Sequence, residues 1–119
     1  MASVTVDGSQ MIVEIEGLDK ILALKRKLTI DIAHVRGATF DPGAVREPKG
    51  VRAPGAHVPG VIVAGTFHRD GERTFWDVHN GDKAVVIELV DDEYDRIIVE
   101  VDDPRGVVQA VNAAIQRPA

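Results

Sequence analysis

The residues of this chain that could do chemistry are four histidines, a run of carboxylates, two serines and a stretch rich in glycine and proline. The histidines are His34, His57, His68 and His79. Asp77-x-His79, with Asp70 and Asp82 nearby, offers the hard oxygen and nitrogen donors that a divalent cation takes. The spacing is not that of a metal helix, since neither H-x-x-x-H nor H-E-x-x-H occurs. In a two-residue hairpin turned at Asp70-Gly71, His68 stands opposite Arg73, whose charge repels a cation. The histidines therefore read as surface and loop residues, and no metal is expected. Asp91, Asp92, Glu93 and Asp95 supply carboxylates for acid–base work. They share one wet turn, with no apolar surroundings to make one an acid and another a base. Ser3 and Ser9 lie in the N-terminal hairpin without a G-x-S-x-G motif, and the chain has no cysteine nucleophile. No catalytic residue and no cofactor are expected, and the chain reads as a non-enzyme.

The stretch "VRAPGAHVPGVIVAGTF", residues 51 to 67, invites comparison with a phosphate cradle. Such a cradle runs from strand to glycine loop to helix N-terminus, so that backbone N–H groups converge on the anion. Here the order is loop, then strand, and Pro54 and Pro59 each lack an N–H. The structural reading is that Gly55 and Gly60 permit turns, Pro59 fixes the start of the strand, and Gly65 marks a bulge or tight bend. Residues 40 to 59 form the loop-rich region of the chain.

Phe67, Phe75, Trp76 and Tyr94 are the notable aromatics. Phe75 and Trp76 are adjacent on a strand and point to opposite faces. One belongs to the core, and the other is exposed or sits under a helix. Trp76 packs within the fold or, where exposed beside Arg69 or Arg73, is a candidate partner contact.

Net charge is -5, which gives no general attraction to nucleic acid. Residues 20 to 52 hold eight basic residues against three acids, and residues 77 to 103 hold ten acids against two bases. The two segments either neutralise each other across the fold or form patches of opposite sign that meet between subunits. Lys25, Arg26 and Lys27 are the basic cluster, read as a solvated helix end and as a further candidate contact. No apolar run approaches the ~20 residues of a membrane span. The N-terminus has no basic region and no signal-peptide core. These features and the lack of cysteine fit a cytoplasmic protein, and membrane association is not expected.

The elements that must position these residues follow from periodicity. Val4–Val6 and Met11–Ile15 read as strands about an Asp7-Gly8 turn. Leu18, Ile21 and Leu22 recur at helical spacing, so a short helix is expected over 18–26. Leu28, Ile30 and Ile32 alternate as a strand, and the alternation slips at Ala33-His34-Val35, where a bulge or bend is expected before the strand resumes to Phe40. Strands follow over 61–67, 73–78, 84–90 and 96–101. Asp103 caps a helix that begins at Pro104 and runs to about 116, with Pro104, Val107, Val108, Val111 and Ile115 as its apolar stripe. The sum is one α+β domain over 1–119. It has a strongly bent antiparallel sheet, or partly open barrel, of about seven strands with a C-terminal capping helix.

The segments 28–42, 51–67, 75–79 and 84–104, with the helix after them, resemble small bacterial PH-like (pleckstrin-homology superfold) proteins of the actinobacterial type. The RAPG…PGVI…GT segment is the most distinctive part of the likeness. The resemblance implies a PH-like fold, no known enzymatic activity and possible self-association. The basic first hairpin of phosphoinositide-binding PH domains is not matched, because Asp7-Gly8-Ser9-Gln10 and the flanking Glu14 and Glu16 occupy that place. The expected function is a protein-interaction or self-assembly module. The alternative is a small-ligand or lipid-binding module using an open end near residues 41–60.

Overall fold

The computed structural model describes residues 2–15, 27–44, 51–58, 62–79 and 81–116. β1 (Ala2–Asp7), β2 (Gln10–Ile15) and β3 (Lys27–Asp31) form an antiparallel sheet in that order. The hairpin turns at Gly8-Ser9, one residue later than the Asp7-Gly8 reading, because Gly8 takes the left-handed φ of 61° and Asp7 stays in the strand opposite Gln10. The helix expected over 18–26 falls on residues outside those described.

The slip at Ala33-His34-Val35 is a 3-10 turn over Ile32–His34, capped by Asp31, whose carboxylate accepts from the Ala33 N–H at 2.9 Å. It does more than bend one strand. It ends β3 and sends the chain into β4 (Val35–Phe40), which belongs to a second sheet. That sheet has the order β4-β8-β9-β7-β6-β5. Its other strands are β5 (Val51–Val58), β6 (Ile62–Arg69), β7 (Glu72–Val78), β8 (Ala84–Leu89) and β9 (Arg96–Glu100). Neither sheet closes on itself, and the described residues contain nine strands where about seven in a partly open barrel were expected. The surplus comes from the division of 28–40 into β3 and β4, and from β5. β5 occupies the centre of the region read as loop-rich.

β5 forms despite its proline because the register with β6 shifts between Ala53 and Gly55, leaving Pro54 out of the ladder. Gly65, opposite Gly55, takes a φ of 125°, so the irregularity expected at Gly65 lies there. The Asp70-Gly71 turn joins β6 to β7 with both residues at positive φ, 53° and 78°, and sets His68 opposite Arg73 as expected. β9 lies parallel to β7 and antiparallel to β8, so the sheet is mixed rather than wholly antiparallel. Ile97, Ile98 and Val99 are all buried, the pattern of a central strand covered on both faces.

The main core lies between the two sheets. Met11, Val13, Leu28 and Ile30 from the first sheet meet Phe75, Val85, Ile87, Ile97 and Val99 from the second. The helix α1 (Pro104–Gln116) closes this core against β4 and β1 with the expected stripe: Val111 is fully buried, and Val107, Val108 and Ile115 pack beside it. Its first turn is capped by Asp103, whose Oδ1 accepts from Gly106 N–H at 3.1 Å. A second apolar cluster occupies the other face of the larger sheet: Phe67, Trp76, Val78, Ala84, Val86 and Ile98, with Ala44 against them.

Candidate functional site

The acidic turn after β8 is held from beneath rather than left loose in solvent. Tyr94, in its middle, is 1% exposed. Its hydroxyl hydrogen-bonds the buried Thr66 hydroxyl at 3.0 Å, and its ring meets Phe75 edge-on with centroids 5.7 Å apart. The Arg73 guanidinium lies 5.1 Å from the same ring centre. Asp95 is tied to β7 twice: its carboxylate accepts from Arg73 N–H at 2.7 Å, and its own N–H donates to Arg73 C=O at 2.8 Å. On the other side, Val90 N–H donates to His34 C=O at 2.8 Å, and the Asp92 carboxylate lies 3.3 Å from His34 Nδ1. Asp91, with a left-handed φ of 56°, turns the chain outward. The result is a fixed projection on which the side chains of Val90, Asp91, Glu93 and Asp95 are exposed. Glu93 also lies 3.5 Å from Arg73, which offsets part of the charge. The turn therefore presents acceptors and negative charge to solvent.

The strand edges differ sharply from one another. β4 ends the larger sheet, yet its outer side is sealed by α1. Asn112 Oδ1 accepts from Ala38 N–H, and Asn112 Nδ2 donates to Ala38 C=O, both at 3.0 Å. The amide thus stands in for one residue of a neighbouring strand. β3 ends the smaller sheet, and among the described residues no strand pairs with its outer side. Ile32 N–H donates to Ser9 C=O at 2.8 Å. In an antiparallel ladder, bonded and non-bonded pairs alternate, so Ile30 and Leu28 bond toward β2. Lys27 and Thr29 therefore turn their backbone N–H and C=O to the outer side, and Asp31 its N–H, while the Asp31 C=O accepts within the 3-10 turn that it caps. Their side chains are exposed, while Leu28 and Ile30 are buried.

Comparison with protein-family models, with curated proteins and with solved structures finds no match.

The residues singled out in the sequence are not brought together. Trp76 is 1% exposed and sits in the second cluster with Phe67, Val78, Val86 and Ile98, so its ring does not form an exposed partner contact. Phe75 lies in the main core, so both neighbours are buried, on opposite faces of one sheet. Lys27 begins β3, exposed and opposite Glu14, whereas Lys25 and Arg26 lie outside the described residues. Asp77 is completely buried, whereas His79 is exposed just past the end of β7. Among the described residues, no three His, Asp or Glu side chains are grouped closely enough to hold a metal ion. His57 lies on β5, whose side chains are not described.

Two features had no signal in the sequence reading. Asn112 is an ordinary polar residue on a helix until β4 is placed beside it. Glu100 is 5% exposed and accepts from His79 N–H at 2.8 Å, a buried carboxylate fastening the end of β7 to β9.

Proposed function

We propose that this chain is a cytoplasmic, non-enzymatic, PH-like module that works through protein contacts, contact with its own copies included. The observation that carries this reading is the outer edge of β3, which no strand among the described residues pairs and where Lys27, Thr29 and the Asp31 N–H offer backbone bonds, in a fold that holds the edge of β4 with a side-chain amide. The acidic projection at 90–95, fixed by Tyr94 and Asp95, supports it as a second surface suited to a basic partner. The PH-like part rests on two sheets that share one core closed by a C-terminal helix. The parallel β7–β9 pair is where the chain departs from a wholly antiparallel plan. No helix among the described residues is long and apolar enough to cross a membrane.

Light scattering after gel filtration, across a range of concentrations at low and physiological salt, tests the reading. The expected result is a mass above 12.9 kDa that falls on dilution, and falls further with salt because exposed charges are screened over about 8–10 Å. A mass of 12.9 kDa under every condition would refute self-association.

A further inference from the structure

We propose that two copies of this chain pair antiparallel along β3, about a two-fold axis at Thr29, joining their smaller sheets into one. The inference rests on the self-association reading and gives it a register. β3 reads Lys27-Leu28-Thr29-Ile30-Asp31, with a cation at one end, an anion at the other and Thr29 at the centre. Antiparallel pairing about Thr29 sets Lys27 against Asp31 of the second copy and Asp31 against its Lys27. Thr29 then faces its own counterpart, and Leu28 faces Ile30. Opposite charges, paired threonines and paired β-branched or aliphatic residues are the favourable cross-strand combinations.

The backbone agrees with this register. Lys27 and Thr29 point their N–H and C=O groups outward and Asp31 its N–H, so in this alignment Thr29 exchanges two bonds with its counterpart and each Asp31 N–H donates to the Lys27 C=O of the other copy. A one-residue slip would turn the wrong groups and the wrong faces toward the partner. A two-residue slip would retain the faces but separate both charge pairs. A larger slip would oppose two lysines or two aspartates. The buried faces also match: Leu28 and Ile30, 6% and 4% exposed within one chain, would continue their apolar row across the axis. A two-fold interface is self-complementary by construction, so each favourable or unfavourable contact occurs twice.

Charge exchange tests the register. The Asp31 carboxylate also caps the 3-10 turn, and Lys27 also faces Glu14, so single substitutions there can disturb the monomer. Thr29→Lys is the variant that spares it, because Thr29 is exposed and its backbone bonds point outward. It places two lysines at the axis and should weaken dimerisation by ~10-fold or more while leaving the circular dichroism spectrum unchanged. Lys27→Glu alone and Asp31→Lys alone should each be monomeric, because each sets like charges against each other at both ends of the paired strands. Their equimolar mixture should form a heterodimer. There the introduced glutamate of one variant faces the introduced lysine of the other, and the native Asp31 of the first faces the native Lys27 of the second.

Light scattering reads the wild type, the three variants and the mixture. A wild-type dimer that Thr29→Lys abolishes and the mixture restores supports the proposal. A wild-type multimer that persists in Thr29→Lys overturns the β3 interface while leaving self-association standing. A wild-type monomer at every concentration overturns both.

Discussion

Removing the Asn112 amide is the sharpest test of how the helix and the larger sheet are joined. Asn112→Ala deletes two hydrogen bonds of 3.0 Å, one donated by Ala38 N–H and one accepted by its C=O. Each is worth about 1 kcal/mol net, and leaving the Ala38 groups unpaired beneath α1 adds roughly 1 kcal/mol. Alanine is the better helix former by roughly 0.5 kcal/mol, which acts the other way. The expected loss is therefore about 2.5 kcal/mol. With a urea slope of ~1–3 kcal/mol/M, that moves the unfolding midpoint down by about 0.8–2.5 M. Asn112→Asp is nearly isosteric and keeps an acceptor for Ala38 N–H, but it turns a carboxylate oxygen toward Ala38 C=O. It should destabilise at least as much as the alanine variant, which a loss of volume would not explain. Hydrogen exchange gives a local readout: the Ala38 amide should lose protection in Asn112→Ala before its neighbours on the β8 side. Unfolding free energies for both variants within ~0.5 kcal/mol of wild type would refute the reasoning, since that is the range of an ordinary surface change.

Two further outcomes follow from buried aromatics. Tyr94→Phe keeps the ring against Phe75 but strands the Thr66 hydroxyl, which is 8% exposed. It should cost about 1–2 kcal/mol in a urea melt, and a midpoint equal to wild type would show that the hydroxyl pair adds nothing. Trp76 is the one tryptophan of the chain and is 1% exposed. Its fluorescence should be blue-shifted and poorly quenched by iodide until the protein unfolds, and solvent-like emission from the native protein would contradict its place in the second cluster.

Local chemistry made some elements legible and hid others. The C-terminal helix could be read because Asp103, Pro104 and an apolar stripe all point the same way, and the structure starts it at Pro104. The Asp70-Gly71 turn was legible for the same reason, since those residue types tolerate positive φ. β5 was hidden because Pro54 and Gly55 read as loop. At the edge of a sheet, a bulge leaves that proline outside the ladder, so tertiary pairing wins over local preference. The slip at Ala33-His34-Val35 was visible, but a pattern of alternation does not say that the chain changes sheets there. Trp76 stayed undecided between packing and exposure because one apolar face per strand was assumed. Ala84–Val85–Val86–Ile87 and Ile97–Ile98–Val99 are continuous runs, which signal burial on both faces. Asn112 has no local signature at all, because its partner Ala38 is 74 residues away.

The edges follow one physical logic. An open strand edge invites indiscriminate pairing, and a fold can cover it, break it or charge it. β4 is covered by α1 and sealed by Asn112. β5 carries a bulge at its proline, which interrupts the regular row of donors. Among the described residues β3 has neither, and it carries Lys27 and Asp31 at its two ends. Those charges discourage an apolar strand, and they discourage a second copy laid parallel, which would set lysine against lysine and aspartate against aspartate. They favour the same strand reversed. Specificity is the difference between the wanted and unwanted pairings. The two residues that protect this edge from other chains are therefore the two that would select its own copy.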